Sequence, residues 1–293
     1  MYELIKLTEH DYYIDCPAKI GVVVYDDCAY LIDGGSDKDA GKKIMKILDA
    51  NGWRLKAIFN THSHADHIGG NRLLQEKTGC RIYGGGLELV YTKTPILEPI
   101  GLYGGLPFRE LQSKFLLAQP SDVLPLTDDV LPEGMRAILL PGHSDGMTGF
   151  LTADGTAYIG DCVSSAETLQ KYGIVYLWDT ERSLRSLEVL MTLEAKRFVP
   201  AHAPVTGDIR PLALKNAEAI ADVKEKILMI LSEQKTFEEL LKQLFDAYAI
   251  TMTAQQYALI GSTVRSYLTG LYSERKVNFF FDNNRMLWQT VTE

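Results

Sequence analysis

Metal-ligand side chains are clustered at the end of one short apolar segment. Residues 55–60 have the pattern of a buried strand, and the sequence HSHADH at residues 62–67 follows it, before a helical run at 72–77. Three histidines and one aspartate within six residues have no ordinary role in helix capping or core packing. The cluster therefore restricts the fold to one that presents a strand-to-helix loop as a metal site.

Three more candidate ligands follow, each at the end of a strand-like segment. His143 lies in PGHSDG, Asp161 in IGDC and His202 in PAHAPV. Each of them taken alone is typical of a loop or turn residue, but all three come after segments that favour strands. Imidazole and carboxylate donors suit zinc, iron or manganese, and no cysteine cluster competes with them. The pattern favours a hydrolytic metal site over a structural one.

The cluster and the three later residues supply enough donors for two ions. On an extended loop His62 and His64 can face one ion, while Asp66 and His67 turn to a second. Each ion then needs a further donor, which the histidines of the two later loops can add. Asp161 can bridge the two ions with its two carboxylate oxygens, and the set of ligands then closes at seven.

The pattern of strands and helices divides the chain of 293 residues into two regions. Residues 1–210 carry all the candidate ligands and form the predicted catalytic domain. Within it, residues 84–120 are rich in glycine, proline and aromatic side chains and exceed ordinary connections in length, which predicts an insertion or lid. Residues 211–293 read as a winged-helix-like domain with a terminal hairpin. Its three helices are predicted at 211–232, 237–248 and 254–272.

Charge and cysteine content narrow the class of protein. A formal charge of −8 and a pI near 5.4 disfavour a large surface for nucleic acid or anionic lipid. Residues 236–293 carry five basic and six acidic side chains, so this region is a poor phosphate-binding surface. Four scattered cysteines, no signal peptide and no apolar stretch of membrane length predict a cytoplasmic enzyme.

The motifs HSHADH, PGHSDG, IGDC and PAHAP, in this order and at long spacing, resemble those of the metallo-β-lactamase superfamily. The resemblance covers roughly residues 20–207. It implies an α+β fold, an αββα sandwich with the site at one edge between its two sheets. Asp33 would lie behind the site and support a ligand. The implied ligands are His62, His64 and His143 for the first ion, Asp66, His67 and His202 for the second, and Asp161 as the bridge.

Departures from other branches of the superfamily narrow the chemistry that the resemblance implies. The flavodiiron branch has glutamate where this chain has His64, and the two-zinc β-lactamases have cysteine in place of Asp161. Reduction of oxygen or nitric oxide and hydrolysis of antibiotics are therefore disfavoured. Asp161 is similar to the glyoxalase II, lactonase and ribonuclease branches, and the C-terminal region resembles the winged-helix tail of lactamase-like endoribonucleases.

These features predict a binuclear metallohydrolase in which a metal-bridging hydroxide attacks a small ester-like substrate, a thioester or a lactone. Asp66 would orient the hydroxide, and the two divalent ions are expected to be zinc before iron or manganese. Two alternatives stay open. One is a lactamase-like endoribonuclease or phosphodiesterase acting on RNA, and the other is a persulfide dioxygenase with a single iron.

The expected partner is a small-molecule substrate. No membrane contact is expected, and nucleic acid is disfavoured, with RNA kept as the alternative. A homodimer stays open because the predicted hairpin contains three consecutive phenylalanines, residues 279–281. Their side chains would be exposed unless they pack on the core or on a second subunit.

Overall fold

Residues 2–291 are described by the computed structural model, and within them the chain forms two main β-sheets, a hairpin and ten α-helices. Met1 and residues 292–293, which the two predicted regions include, lie outside this range. The strands are β1 (Glu3–Lys6), β2 (Asp11–Asp15), β3 (Ile20–Tyr25), β4 (Cys28–Ile32), β5 (Arg54–Phe59), β6 (Arg81–Gly84), β7 (Val123–Pro125), β8 (Arg136–Leu139), β9 (Thr148–Leu151), β10 (Thr156–Tyr158), β11 (Arg197–Val199), β12 (Val277–Asp282) and β13 (Arg285–Thr290).

The helices predicted at 72–77, 211–232, 237–248 and 254–272 each begin and end within two residues of the predicted positions. The first helix of the chain begins after Asp37, whose carboxylate accepts hydrogen bonds from the N–H groups of Asp39 and Ala40 (both 3.0 Å). The helices are α1 (Lys38–Ala50), α2 (Ala65–Ile68), α3 (Asn71–Thr78), α4 (Gly86–Lys93), α5 (Leu97–Tyr103), α6 (Ala166–Tyr172), α7 (Thr180–Thr192), α8 (Arg210–Ile230), α9 (Phe237–Ala247) and α10 (Ala254–Ser273).

The two main sheets differ in size and in strand direction. The first contains seven strands in chain order, antiparallel from β1 to β4 and parallel from β4 to β7. The second contains four strands in the order β11-β10-β9-β8, with β10 and β11 parallel. Because parallel neighbours end at the same edge of a sheet, residues that follow such strands are brought together.

The inner faces of the sheets pack on each other through aromatic side chains. Phe59 of β5 lies against Phe150 of β9, with ring centroids 5.7 Å apart. Tyr158 of β10 is buried, and its hydroxyl donates to the Tyr12 carbonyl across the sandwich (2.8 Å). A Cβ atom at Gly21 in β3 would lie 2.6 Å from the Tyr158 ring. Glycine at this position therefore lets the two sheets approach closely.

Helices cover both outer faces and complete a four-layer structure. On the first sheet, Ile44 of α1 and Leu74 of α3 pack in one hydrophobic cluster with the strand residue Ile58. On the second sheet, α7 and the C-terminal helices join a cluster that includes Phe198 of β11 and Leu187. The predicted αββα sandwich is therefore confirmed, and its helices are amphipathic for this reason.

The segment predicted as an insertion or lid is largely helical and packs on the C-terminal region. It contains α4, α5 and a 3₁₀ turn at Arg109–Gln112. Leu102 of α5 and Leu111 of the turn form a small cluster with Ala258 of α10. Among its aromatic side chains, Phe115 is 70% exposed, whereas Tyr91 is half-buried.

The C-terminal region consists of α8, α9, α10 and the β12–β13 hairpin. The hairpin turn is formed by Asn283 and Asn284, which both have positive φ (46° and 61°), as a two-residue turn of this kind requires. Buried residues of all three helices belong to the same hydrophobic cluster as the second sheet. The domain boundary at 210 stays a prediction. Within residues 2–291 no helix combines the length and the apolarity that a bilayer crossing demands.

Candidate metal centre

All seven predicted ligands lie at one edge of the sandwich, on loops that follow strands. His62 and His64 follow β5, and α2 carries Asp66 and His67. The other three all follow strands of the second sheet. His143 follows β8, Asp161 follows β10, and His202 follows β11. The parallel pairing of β10 with β11 brings the last two loops to the same edge.

The first cluster consists of His62, His64 and His143. The Nδ1 atom of His64 lies 3.0 Å from His62 Nε2 and 2.9 Å from His143 Nε2. Four tetrahedral ligands at about 2.05 Å from zinc would be separated by roughly 3.3 Å. The three nitrogen atoms therefore converge at close to the spacing that one ion requires, and they form a group able to hold a metal.

The second cluster consists of Asp66, His67 and His202. Asp66 Oδ2 lies 3.1 Å from His202 Nε2 and 3.7 Å from His67 Nε2. His67 is buried, whereas the Asp66 side chain is 42% exposed, so this cluster borders the solvent on one side. It forms a second group able to hold a metal.

Asp161 lies between the two clusters. Its Oδ1 atom is 3.2 Å from His67 Nε2, and its Oδ2 atom is 3.3 Å from His202 Nε2 and 3.5 Å from His143 Nε2. One carboxylate thus reaches ligand nitrogens of both clusters. The position of Asp161 between the clusters fits the bridging role that the resemblance implies. That bridging role stays a prediction.

Two buried polar atoms of the centre bear on whether its residues fit a metal ion. His67 Nε2 and Asp161 Oδ1 have no hydrogen-bond partner within residues 2–291. Buried polar atoms are nearly always paired, so unpaired ones that face each other indicate a missing positive group. The donors are imidazole nitrogens and carboxylate oxygens, the set that zinc, iron and manganese accept. The residues of both clusters therefore fit divalent metal ions.

Hydrogen bonds from outside the centre fix the orientation of its histidines. His202 Nδ1 lies 2.9 Å from the Pro17 carbonyl and His143 Nδ1 lies 3.2 Å from the Tyr176 carbonyl. Because a carbonyl only accepts, each Nδ1 carries a proton, which leaves Nε2 as the nitrogen that would bind a metal ion. Nothing in the local sequence around Pro17 or Tyr176 indicates this role.

Asp33 supports the centre from behind. It is buried, its Oδ2 atom lies 2.7 Å from His67 Nδ1, and its two oxygens accept bonds from the Thr61 N–H (2.7 Å) and the Thr61 hydroxyl (2.8 Å). Asp33 also has a positive φ of 70°, which aspartate tolerates better than most residues. The carboxylate therefore holds both the HSHADH loop and one ligand.

Glu88 of α4 is a further support that the sequence did not indicate. Its buried carboxylate accepts hydrogen bonds from the Ser63 N–H (2.8 Å), the Ser63 hydroxyl (2.5 Å) and the Gly146 N–H (2.9 Å). Ser63 lies between two ligands and Gly146 lies just after His143. One side chain thus ties together the two loops that form the first cluster.

The two clusters differ in the charge that their histidines carry without metal. Burial lowers the pKa of all three histidines of the first cluster, to about 4 for His64 and His143. Burial also opposes a charge on His67, but the neighbouring carboxylates outweigh it and raise the pKa of His67. Asp161 raises the pKa of His202 to about 10. Without metal, the neutral form is therefore favoured for the histidines of the first cluster and the protonated form for His67 and His202 of the second.

Proton release should therefore distinguish the two clusters when metal-free protein is titrated with zinc. Histidines of the first cluster are already neutral at pH 7, whereas His67 and His202 must each lose a proton before they can bind an ion. We expect the second cluster to release about two more protons per ion than the first. Calorimetry at pH 7 in buffers of different ionisation enthalpy measures this difference. Equal release at both equivalents would contradict the assignment.

A pocket of about 110 Å³ opens beside the first cluster. The insertion supplies one of its sides, the loop before α7 another, and α10 a third. Burial raises the pKa of the Glu98 carboxyl well above its ordinary value, and burial raises that of the Tyr176 hydroxyl too. The side chains that line the pocket include Tyr91, Glu98, Leu102, Tyr176, Trp178 and Ser262.

Helix α10 holds the pocket wall in place by hydrogen bonds. The Thr263 hydroxyl accepts from the Leu177 N–H (3.0 Å), and the Ser266 hydroxyl accepts from the Thr180 N–H (3.1 Å). Both donors belong to the segment that carries Tyr176 and Trp178. The C-terminal region thus contributes to the surroundings of the centre as well as to the core.

A sandwich of two sheets between helical layers, with two histidine–aspartate clusters at one edge, defines an α+β metalloprotein. The model of the metallo-β-lactamase superfamily matches residues 13–202, a range that contains all seven candidate ligands. The chain therefore belongs to the metallo-β-lactamase superfamily, whose members typically bind divalent metal ions.

Relatives of this chain include curated enzymes and solved structures. The hydroxyacylglutathione hydrolase of Methylococcus capsulatus is 30% identical over 185 residues, 60% of this chain and 62% of that protein. The hydroxyacylglutathione hydrolase of Rhodospirillum rubrum is 26% identical over 163 residues, 52% of this chain and 51% of that protein. The chain thus spans less than two thirds of the length of these relatives.

One solved structure is similar along nearly the whole chain. A metallo-β-lactamase family protein from Thermus thermophilus has a TM-score of 0.72 at 19% identity, and the match covers 99% of this chain and 98% of that one. The similarity is one of fold. It covers the C-terminal helices as well as the sandwich.

Proposed function

We propose that the protein is a binuclear metallohydrolase that cleaves a small ester-like substrate, a thioester or a lactone. The observation that carries the proposal is the position of Asp161, whose carboxylate reaches ligand nitrogens of both metal-binding clusters. Two relatives named for the hydrolysis of hydroxyacylglutathione, a thioester, support the choice of substrate class. An RNA-cleaving activity is supported less, because the C-terminal region carries no excess of basic residues.

The first cluster would hold one ion and the second cluster the other, with Asp161 shared between them. When bound, the two ions supply Lewis acidity and a water of lowered pKa at neutral pH. We expect both ions to be zinc, with iron or manganese as the alternatives. Asp66 would orient the attacking water through its carboxylate, since its side chain is 42% exposed at the open side of the centre. Tyr176, which lies edge-on to His64 (5.4 Å between centroids), would keep bulk water away from the reacting carbonyl.

Metal content and turnover on a substrate panel test this proposal. We expect about two zinc or manganese ions per chain and turnover of acyl thioesters or lactones, lost on chelation and restored by zinc. No cleavage of single-stranded RNA is expected. A single iron per chain together with oxidation of persulfides would overturn the proposal and favour a persulfide dioxygenase. Inactivity of the metal-loaded protein on all thioesters and lactones of the panel would also overturn it.

A further inference from the structure

The C-terminal hairpin has one strand edge to which no other strand is paired. Strands β12 and β13 pair with each other, and β13 is also covered on its outer side, where Trp288 and Lys235 exchange two backbone hydrogen bonds (2.8 and 3.1 Å). Within residues 2–291 no strand pairs with the outer side of β12. A free edge of this kind is a surface to which another chain can add a strand.

The pairing of the hairpin determines which backbone groups of β12 face outward. Asp282 and Arg285 flank the two-residue turn and pair with each other, so every second residue of β12, counted from Asp282, uses its backbone groups within the hairpin. Phe279 and Phe281 lie between these positions and therefore direct their N–H and C=O groups outward. The Phe279 N–H donates to the side-chain oxygen of Asn278 (2.9 Å), which a second strand can replace.

The edge and the surface beside it are apolar. Residues 279–281 are consecutive phenylalanines, and Phe281 is 72% exposed. The Phe279 ring lies against the rings of Tyr272 and Trp288, with centroids 5.3 and 5.2 Å away, which fixes the aromatic surface on the hairpin. Proteins usually protect an edge strand with charged residues or proline, and these three phenylalanines provide neither. Such an edge favours association with another strand.

Only residues 278–282 of the edge are open to a partner, because Val277 at the start of β12 is buried. If a second copy of the chain pairs with this segment in the antiparallel direction, its outward-facing residues must lie opposite outward-facing residues. The register that meets this condition over the whole segment is centred on Phe280. Phe279 then lies opposite Phe281 of the second copy, and the two edges exchange about four backbone hydrogen bonds.

The side chains of the segment complement each other in the same register. Asn278 lies opposite Asp282 of the second copy, so an amide donor faces a carboxylate acceptor. Lys276 lies diagonal to the same carboxylate, at a separation of roughly 7–8 Å that a long side chain spans. The two Phe280 rings face each other at the symmetry axis. Because no like charges lie opposite one another, the charge pattern favours a second copy of this chain as the partner.

We propose that the protein forms a homodimer in which the β12 strands of two copies pair antiparallel about Phe280 and join the two hairpins into one continuous sheet. This inference goes beyond the proposed function and is independent of the reaction at the metal centre. Two short strands bury less than the roughly 1,600 Å² of a standard interface. We therefore expect a dissociation constant of the dimer in the micromolar range.

Sedimentation equilibrium of the metal-loaded full chain measures the association. We expect a mass of about twice the 32.7 kDa of the chain at concentrations above Kd. Asn278→Asp places like charges opposite each other at both ends of the paired segment and should raise Kd by about ten-fold. The further change Asp282→Asn restores an amide–carboxylate pair, so the double variant should return Kd to within about three-fold of the original value. Leu139→Asp adds the same charge at an exposed position on β8, the edge strand of the second sheet, and should leave Kd unchanged.

A cysteine at the symmetry axis tests the register independently. In the proposed pairing, residue 280 faces its own copy with Cα atoms about 4.5 Å apart, within the range that a disulfide spans. Phe280→Cys should therefore give covalent dimers on oxidation with diamide. Phe281→Cys, which lies opposite position 279, should give no more than the unchanged chain does.

Three results would overturn the proposed dimer. One is a monomer at all concentrations well above the micromolar range. Another is a dimer that Asn278→Asp leaves unaffected and that crosslinks no better through residue 280 than through residue 281. The third is a dimer that Leu139→Asp dissociates, because the interface would then lie on β8.

Discussion

Replacement of Asp161 by asparagine should nearly abolish turnover while the fold is retained. Asparagine has the same size but no charge, so it cannot serve ligand nitrogens of both clusters with two equivalent oxygens. We expect kcat/KM to fall by on the order of 10³-fold, beyond the roughly 10- to 100-fold loss seen for residues that only support a ligand. Metal content should fall from about two ions per chain to one or fewer.

A matched control distinguishes this effect from a general loss of negative charge. Asp49→Asn changes an exposed aspartate in the last turn of α1, at the opposite edge of the sandwich, and should leave both activity and metal content unchanged. Elemental analysis and thioester kinetics measure the two quantities on each variant. If Asp161→Asn retained two ions and most of its activity, a bridging role for Asp161 would be excluded.

Replacement of Asp33 by alanine should cause the largest loss of stability among single substitutions near the centre. The change leaves the Thr61 N–H, the Thr61 hydroxyl and His67 Nδ1 without their shared acceptor in a buried place. We expect the free energy of unfolding of the metal-free protein to fall by about 3–5 kcal/mol. Zinc affinity should fall by roughly 10- to 100-fold, since His67 loses the group that orients it. Urea unfolding and zinc titration measure the two effects separately.

Two further variants separate the causes of that loss. Asp26→Ala also places alanine at positive φ (54°), but on the surface, so it measures the backbone cost alone, about 1–2 kcal/mol. Asp33→Asn keeps one acceptor oxygen and a side chain that tolerates this φ, so it should lose less stability than Asp33→Ala. A loss for Asp33→Ala no greater than that for Asp26→Ala would contradict a supporting role for the carboxylate.

The sequence predicted the layers of the fold and the edge at which the ligands lie, because both depend on local patterns. The continuous apolar run in β3 is typical of a strand buried on both faces, and the helical spacing in α1 indicates which face of that helix is buried. HSHADH stands out because metal donors at such density have no other structural use. In the structure, parallel pairing of β10 with β11 brings Asp161 and His202, two of the predicted ligands that follow strands, to the same edge.

The supports of the site could not be predicted, because they depend on contacts between distant residues. In the sequence GLELVYTK, Glu88 has the pattern of an ordinary glutamate on a helix surface. Only the fold places it against Ser63 and Gly146, which are separated from it by 25 and 58 positions along the chain. The carbonyl of Pro17 meets His202 across 185 residues. The packing of α10 against the pocket wall is likewise a tertiary contact that the pattern of helices does not contain.

The metal ligands and the residues of the pocket wall lie on different parts of the fold, and this affects how the substrate specificity of such a protein can change in evolution. The metal donors stand on the rigid edge of the sandwich, whereas the groups that would contact the substrate come from the insertion, the loop before α7 and α10. Mutations in these outer segments can alter which molecules enter without disturbing the metal centre. During evolution, proteins with this architecture can therefore acquire new substrates through substitutions in these outer segments, while the metal ligands and the reaction that they support stay the same.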